Sequence, residues 1–326
     1  MEIGLRMLHL LLRKAWRLSS VLLLPILLSA CTPVAQPPRP NGIALAPDGS
    51  IYAMALGNHQ VLQLSPDGRR LSAFGRLGDG PSDIYEGWGT ALDEAGNIYL
   101  CHIWRSEEDS AGRESIKVFS PTGRLVREII TPGDDGAEGC YSVRVDSAGR
   151  ILAVYNSTNH LRVFDAQGTL LATLWGETGV GPGQFLGLRD VAVDAQRGLL
   201  YASDAGNSRI QQFDLSDTAD GGIALAYRRS FGSYGRDLGE LAYPQYLAVD
   251  EASGRLAVGD MANRRIQIFD PEGNALAELA PPDMDEWQVM GLAFADDGAL
   301  LAADALNGVI WVFEPDGRLR RMIEVP

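Results

Sequence analysis

The sequence predicts an all-β fold made of six copies of one four-stranded antiparallel unit. Three observations predict it: a short alternating strand recurs at a near-regular period, turns containing glycine follow the copies, and no long helical pattern interrupts the series. The last residues of the recurring strands are 47, 53, 48, 56 and 45 positions apart. These recurring strands are residues 42–46, 89–93, 142–146, 190–194, 246–250 and 291–295.

Each recurring strand begins a unit of four strands. A turn such as residues 47–49, where glycine supplies the positive φ that other residues resist, leads to a second strand such as 200–204. A third strand such as 266–269 alternates in hydrophobicity, and a fourth ends near an aromatic residue such as Trp175. One such sheet cannot cover both of its apolar faces without neighbours, so six of them predict a six-bladed β-propeller. Because the series begins on an inner strand and ends on an outer one, we expect each blade to be continuous in sequence.

The first thirty residues are predicted to be a signal peptide. Basic residues precede an apolar run over residues 18–30, which is too short for a membrane-spanning helix of roughly 20 residues. The run ends in Leu-Ser-Ala before Cys31, which resembles the lipobox of bacterial lipoproteins. The resemblance implies cleavage before Cys31 and acylation of its thiol, and Thr32 favours the outer membrane of the cell envelope. Ordinary secretory cleavage after Ala30 is the alternative, although it leaves the cysteine unexplained.

The predicted organisation is a lipoprotein signal peptide over residues 1–30, a lipidated cysteine with a proline-rich tether over residues 31–41, and the propeller over residues 42–326. The whole chain carries a formal charge of −14, of which the signal peptide contributes +3, so the mature protein carries −17. This negative field repels nucleic acid phosphates, and we expect no nucleic-acid partner. We expect a monomeric propeller, anchored to the membrane through its N-terminal lipid.

Three segments carry a closer resemblance to a known repeat. The sequences DAGNSRIQQF (204–213), DMANRRIQIF (260–269) and WGETGVGPGQF (175–185) resemble NHL repeats. The resemblance covers residues 42–325, is most specific in the fourth and fifth units, and implies an NHL-type propeller. Aspartates such as Asp204, followed three residues later by Asn207, then belong to the loop chemistry of the repeat rather than to a catalytic carboxylate set.

Propeller geometry places two kinds of loop on one face around the central channel: those from the second strand to the third, and those from each blade to the next. Binding residues are expected on this face because rigid strands hold its loops in place. Aromatic and arginine side chains are enriched at binding hot spots, although several of them could instead fill gaps between blades, as Trp175 is expected to do. The candidate binding residues are Trp88, Trp104, Arg105, Tyr141, Arg144, Arg189, Tyr246 and Trp287.

Arg144 differs from the residue found at the equivalent position of the other repeat units. The equivalent residues of the other five units are Ala44, Ala91, Ala192, Ala248 and Ala293, which indicates a tight place near the channel. A guanidinium there must reach a carboxylate, carbonyl groups or channel water, because an unpaired buried charge is costly. A structural bridge to Asp146 or Asp190 is one interpretation, and recognition of an anion in the channel is the other.

The histidines do not favour a metal enzyme. NHL-like propellers include peptidyl-amidoglycolate lyases, for which the family resemblance would imply a zinc ion held by three histidines. The mature chain has only His59, His102 and His160, each in the loop region of a different unit. Zinc requires imidazoles that converge at about 2 Å from one point. We therefore expect no metal, no cofactor and no catalytic residues, and a lyase-like or lactonase-like metal-dependent propeller enzyme is the alternative.

Cys101 and Cys140 are expected near the same face of adjacent blades, where they could form a disulfide in an oxidising compartment. The favoured function is a cell-envelope lipoprotein whose propeller binds a protein, peptide or glycan partner, or acts as a scaffold for it.

Overall fold

The computed structural model describes residues 38–78, 80–104, 113–130, 139–219, 221–282, 284 and 286–326. The predicted signal peptide, the lipobox and Cys31 lie outside these residues. Within the described part, 24 strands form six sheets of four antiparallel strands each. No helix of the described part is long and apolar enough to cross a membrane.

The first three blades use strands that follow one another in sequence. They are β1 (Pro40–Leu45), β2 (Ile51–Ala55), β3 (Gln60–Leu64) and β4 (Arg70–Phe74); β5 (Glu86–Leu92), β6 (Ile98–Trp104), β7 (Arg113–Phe119) and β8 (Leu125–Ile130); and β9 (Cys140–Val145), β10 (Ile151–Tyr155), β11 (His160–Phe164) and β12 (Leu170–Trp175).

The last three blades repeat the same order. They are β13 (Leu188–Asp194), β14 (Leu199–Asp204), β15 (Arg209–Asp217) and β16 (Ile223–Phe231); β17 (Pro244–Asp250), β18 (Arg255–Asp260), β19 (Arg265–Phe269) and β20 (Ala275–Leu279); and β21 (Val289–Phe294), β22 (Leu300–Asp304), β23 (Val309–Phe313) and β24 (Leu319–Glu324). The predicted six-bladed fold is confirmed, and each blade is continuous in sequence.

Burial differs between the middle and the edge of each blade. The second strands β2 and β10 are buried at every position, whereas the outer strand β20 alternates between buried or partly buried and exposed positions. The middle strands lie between neighbouring sheets, so both of their faces must be apolar. The outer strands have the two-residue period of a sheet that faces water on one side.

Apolar packing between the sixth and first blades closes the ring. One cluster joins Ile51 and Leu62 of the first blade to Leu301 and Ile310 of the sixth. Ring closure therefore needs no strand exchange between the ends of the chain, since buried apolar area supplies the contact.

Glycines let the inner strands approach one another at the channel. Gly89 has a φ of +57°, and a Cβ atom there would lie 2.9 Å from the Cα of Ser142 in the next blade. A Cβ atom at Gly291 would lie 2.9 Å from the Cα of Gly42. Side chains at these positions would force adjacent blades apart, so close approach requires glycine at both, and the positive φ is a second reason at Gly89.

Candidate functional site

Two kinds of loop lie together on one face of the ring, which we call the mouth face. They are the loops from each second strand to the third and the loops from each blade to the next. Backbone hydrogen bonds join the two kinds of loop. The Ala205 N–H donates to the Gly187 carbonyl at 3.1 Å, and the Ala305 N–H donates to the Gln288 carbonyl at 3.0 Å. The starts of the inner strands reach this face, and their ends reach the opposite face.

A buried aspartate holds the mouth-face loops in the fourth blade. The Asp204 carboxylate accepts from the Leu186 N–H at 2.8 Å, from the Asn207 amide at 2.9 Å and from the Arg209 Nε at 2.8 Å. Asp260 in the fifth blade has the same kinds of partner. These carboxylates are occupied by loop contacts, in agreement with the structural role that the sequence predicts for them.

The second blade has a different arrangement at the same place. His102 stands where the fourth blade has Asp204, and its Nε2 accepts from the Tyr85 N–H at 3.2 Å. Burial lowers the pKa of His102 to about 4, so the imidazole is neutral and replaces a carboxylate as acceptor. The buried Lys117 Nζ donates to the Asp83 carbonyl at 2.6 Å, and burial lowers the pKa of this lysine.

The three histidines do not converge. The Nδ1 of His59 lies 2.5 Å from the carbonyl oxygen of Tyr85, so His59 and His102 both contact the backbone of that one residue. His160 is the first residue of β11 in the third blade. Among the described residues, no group of three histidine, cysteine, aspartate or glutamate side chains could hold a metal ion.

Four of the predicted binding residues meet Tyr243 at the channel mouth, in a group that we call the mouth cluster: Trp88, Tyr141, Arg189, Tyr243 and Tyr246. The rings of Trp88 and Tyr141 stack with centroids 5.4 Å apart, and Tyr141 and Tyr246 stack at 6.4 Å. The Arg189 Cζ lies 5.0 Å from the Tyr141 ring centroid and 5.3 Å from that of Tyr243. The guanidinium is therefore held between two electron-rich ring faces.

Hydrogen bonds fix the inner part of the mouth cluster. The Tyr141 hydroxyl donates to Gln245 Oε1 at 3.1 Å and lies 3.1 Å from the Tyr246 hydroxyl, which in turn lies 3.4 Å from the Met290 sulfur. Burial raises the pKa of both tyrosines, so both stay protonated at neutral pH. The Arg189 Nε is buried and has no hydrogen-bond partner within the described residues, although an Nη of the same side chain donates to the Tyr243 hydroxyl.

Two predicted binding residues are packed into the protein rather than exposed. Tyr246 is only 6% exposed and Trp287 only 4%. The Trp287 Nε1 donates to the Arg264 carbonyl at 2.6 Å. Truncation of either side chain is therefore expected to cost stability, because both rings pack in the apolar cluster between the fifth and sixth blades.

Trp104 is half-buried at the end of β6, where its ring packs edge-on against Tyr85 at 5.0 Å between centroids. Arg105 lies outside the described residues. Trp175 packs against Phe185 and Phe213, with centroids 4.7 and 5.0 Å away, which is the gap-filling role predicted for it.

Arg144 spans the channel from the third blade. Its Nη2 donates to the Asp190 carboxylate at 2.5 Å and to the Leu247 carbonyl at 3.1 Å, and its Nε donates to the Val191 carbonyl at 3.2 Å. The guanidinium thereby joins the inner strands of three consecutive blades. The structure has the bridge to Asp190, whereas the alternative partner Asp146 pairs with another arginine.

Asp190 is fully buried, and its carboxylate is surrounded by hydrogen-bond donors. Besides Arg144, it accepts from the Ser142 hydroxyl at 2.6 Å, the Val191 N–H at 2.9 Å and the Leu247 N–H at 2.9 Å. Burial raises the pKa of Asp190, and the charge of Arg144 opposes that rise. This bridge is a structural crosslink across the channel, because its charge is already balanced inside the protein.

On the side of Arg144 away from the mouth cluster, the channel widens into a cavity of about 240 Å³. The cavity is lined by the second halves of the inner strands, where the alanine column provides the space. Its lining includes Ala44, Ala91, Ala192, Ala248 and Ala293. The lining also includes Arg144, and it includes no residue of the mouth cluster.

Cys101 and Cys140 form a disulfide with Cα atoms 5.3 Å apart. It joins β6 of the second blade to β9 of the third. Cys101 pairs with Trp88 across the sheet, and Cys140 precedes Tyr141. The disulfide therefore ties β9, which carries Tyr141, to β6, which pairs with the strand β5 that carries Trp88.

Comparisons with known proteins agree with this architecture. A family profile described as a 6-bladed beta-propeller matches residues 137–250. NHL repeat-containing protein 3 of Mus musculus is 27% identical over 188 residues, which cover 53% of this chain and 50% of that protein. Protein brain tumor of Drosophila melanogaster is 27% identical over 146 residues, which cover 44% of this chain and 13% of that protein. The chain is a six-bladed β-propeller with relatives among NHL repeat proteins, and its match spans half or less of their length.

Solved structures show the same fold at low sequence identity. A streptogramin B lyase has a TM-score of 0.59 and 14% identity, with 90% of this chain and 85% of that chain covered. A catalytically inactive virginiamycin B lyase from Staphylococcus aureus with quinupristin has a TM-score of 0.58 and 14% identity, with coverages of 90% and 86%. A chain of a nidogen/laminin complex has a TM-score of 0.56 and 17% identity, with coverages of 86% and 92%. At these identities the likeness shows the fold alone.

Proposed function

We propose that this protein is a lipid-anchored binding module of the bacterial cell envelope, and that its mouth cluster binds a protein, peptide or glycan partner. The observation that carries the proposal is the placement of Arg189. Its guanidinium lies between the rings of Tyr141 and Tyr243, and its Nε has no partner within the described residues. A buried donor without an acceptor is costly, and a ligand oxygen would satisfy it.

The rest of the mouth cluster suits a binding role. Tyr243 is 38% exposed beside Arg189, while Tyr141 and Tyr246 beneath them are held by hydrogen bonds. Rigid aromatic rings lose little conformational entropy on binding, so a preorganised platform with one exposed edge favours affinity. Tyr234, which is 82% exposed on the same face, extends the surface available to a large partner.

The anchor and the compartment are part of the same proposal. The lipobox-like sequence before Cys31 supports acylation of that residue. The disulfide between Cys101 and Cys140 supports residence in an oxidising compartment, because structural disulfides are rare in the cytosol. Both features fit a mature protein held outside the cytoplasm.

The enzyme alternative takes second place. Its support is the fold shared with streptogramin B lyases. At 14% sequence identity this likeness shows a common fold and not a common active site. Here His102 accepts a backbone hydrogen bond in a buried position, and His59 contacts the same residue. These side chains are engaged in holding loops rather than facing a substrate.

The test compares two tyrosines of matched exposure. Partners are first identified by crosslinking in intact cells and purification of the anchored protein. The affinity of the purified partner is then measured for wild type, Tyr243→Ala and Tyr227→Ala, since Tyr227 is 40% exposed on the outer strand β16 and Tyr243 is 38% exposed. We expect Tyr243→Ala to weaken binding by about tenfold or more and Tyr227→Ala to have no effect. Equal affinity of all three proteins would contradict the proposed site.

A further inference from the structure

We infer that a groove between the sixth and first blades, on the face opposite the mouth face, binds an arginine side chain presented by a partner polypeptide. The groove has a volume of about 500 Å³, within the range of about 300–1,000 Å³ that is typical of ligand pockets. We call it the closing groove, and its lining includes Leu45, Gly49, Ile51, Pro66, Ala299 and Leu301. The inference goes beyond the proposed function, because it needs neither the mouth cluster nor the lipid anchor.

At three other junctions of this face, an arginine of one blade lies on the next blade. Arg150 joins the third blade to the fourth, Arg197 joins the fourth to the fifth, and Arg255 joins the fifth to the sixth. Each guanidinium pairs with the aspartate at the end of the inner strand of its own blade. Each also donates to backbone carbonyls of the next blade. Arg255, for example, donates to the Pro315 carbonyl at 2.8 Å and to the Gly298 carbonyl at 3.3 Å.

The sixth blade lacks this arginine and its aspartate. Strand register places Ala299 at the position that Arg150 and Arg255 occupy in the third and fifth blades. The aspartate of the pair is replaced by Ala295. The first two blades have other polar residues at the position of the arginine, Ser50 and Asn97. The sixth blade therefore sends no guanidinium onto the first, and two small side chains leave room at this junction.

The place of the missing guanidinium is open on the first blade. A Cβ atom at Gly298 would lie 3.3 Å from Nη2 of Arg255. At Gly49, the equivalent glycine of the first blade, only Pro66 among the described residues outside its chain neighbours has atoms within 4 Å of such a Cβ atom. The Gly49 carbonyl accepts no hydrogen bond from the described residues, whereas the Gly298 carbonyl accepts one from Arg255. The closing groove thus contains the acceptor for a bridging arginine without the arginine.

The charges on the rim of the closing groove favour a cation. Asp48, Asp296 and Asp297 line it together with Arg320 and Arg321, which is three carboxylates against two guanidinium groups. Arg320 pairs with Asp297 at 2.8 Å and with a second carboxylate of its own blade, and Arg321 donates to a backbone carbonyl of the first blade. Within the described part of the chain, Asp48 and Asp296 form no ion pair. The net charge of −14 adds to the attraction of a cationic ligand.

The floor of the closing groove suits the aliphatic part of an arginine. Ile51, Leu301 and Val312 line it and are buried. Arginine packs its methylene groups on apolar surface while its planar guanidinium donates to carboxylates and carbonyls. A cavity of about 150 Å³ holds one benzene-sized group. The larger volume of the closing groove therefore also accommodates residues that flank the arginine in a polypeptide.

The experiment measures the binding of two labelled pentapeptides to the full-length protein by fluorescence anisotropy. Both have two leucines flanking the central residue, which is arginine in one peptide and citrulline, its uncharged analogue of the same shape, in the other. Asp48→Asn combined with Asp296→Asn removes the unpaired rim charges. The control, Glu94→Gln combined with Glu272→Gln, removes as many charges from exposed turns of the same face. Ala299→Arg supplies the missing arginine within the chain. Because Ala299 is buried, circular dichroism first checks that this variant folds, and the variants at exposed positions test the inference independently.

We expect the arginine peptide to bind wild type about tenfold or more tightly than the citrulline peptide, because charge-assisted hydrogen bonds are the stronger ones. The rim variant should weaken binding of the arginine peptide by about fivefold or more, and the control should not. Folded Ala299→Arg should not bind it. Equal affinity for the two peptides, or no saturable binding by wild type in the millimolar range, overturns the inference. Equal effects of the rim variant and the control, or full binding by folded Ala299→Arg, also overturn it.

Discussion

Removal of the Arg144 guanidinium should destabilise the propeller far more than removal of an exposed arginine. Arg144→Ala leaves the Asp190 carboxylate fully buried without its cationic partner and breaks the bonds that join three blades. Breaking a buried ion pair by deleting one partner costs about 3–5 kcal/mol. A domain is stable by about 5–15 kcal/mol, so this is a large fraction of the total.

The sign of the pH dependence gives a second check on the same variant. The folded pKa of Asp190 is already raised by burial, and loss of Arg144 raises it further. Above that pKa the folded variant must keep an unpaired charge in its interior. As the pH falls, the folded state takes up the proton before the unfolded state does. The free energy of unfolding of the variant therefore approaches that of wild type.

The assay is urea unfolding of wild type and Arg144→Ala at about pH 7 and about pH 5, with Arg228→Ala as the control. Arg228 pairs with Asp214 on the surface, where the two side chains are 44% and 52% exposed. The control should change the free energy of unfolding by about 1 kcal/mol or less. A loss at Arg144 no larger than the control, or a deficit that grows as the pH falls, would refute the argument.

Three further predictions concern stability. Replacement of Cys101 and Cys140 by serine should lower the free energy of unfolding by roughly 2–4 kcal/mol, because the disulfide closes a 39-residue separation. Mass spectrometry under denaturing, non-reducing conditions should detect no free thiol at either position of wild type. Because the pKa of His102 is lowered to about 4, the unfolded chain takes up this proton first, and stability should fall between about pH 6.5 and 4. His102→Gln keeps a neutral acceptor and should flatten that fall in urea midpoints. Trp287→Ala should cost about 3–5 kcal/mol and Tyr243→Ala under about 1 kcal/mol in thermal or urea unfolding, and equal losses would contradict the assignment of Trp287 as a packing residue.

The strands were predictable because their signals are local. Alternation, as in residues 246–250, and glycine turns, as in 47–49, report the strand period and positive φ directly from neighbouring residues. The fold follows once six units are counted. The sequence left two candidate partners for Arg144, Asp146 and Asp190. Arg150, four residues after Asp146, was the signal that favours Asp190, because Arg150 itself pairs with Asp146.

The candidate site was only partly predictable, for a different reason. Sequence position places Tyr141, Arg189 and Tyr246 at the starts of inner strands, and the structure brings these three together. How deeply each ring is buried depends on neighbouring blades more than forty residues away in the chain, as with the contact of Tyr246 with Met290. Burial of Trp287 by the fifth and sixth blades has the same non-local origin. Residue type and strand register therefore predict where a side chain lies better than they predict how much of it is exposed.

The sequence also contains the signal that His102 replaces a loop aspartate. Alignment of the second strands of the repeats puts His102 in the column of Asp204 and Asp260. Its position in that column indicates that the histidine accepts a hydrogen bond from the loop. This role argues against a metal ligand at the same position. Its neutral state still depends on burial, which the sequence does not show.

Hydrogen exchange of the protein with and without its crosslinked partner tests the central claim most directly. If the mouth cluster is the binding site, amide protection should increase in peptides that cover residues 186–190 and 243–247, and not in peptides of the outer strands β16 and β20. Protection confined to the outer strands, or to the turns that border the cavity on the opposite face, would contradict binding at the mouth cluster.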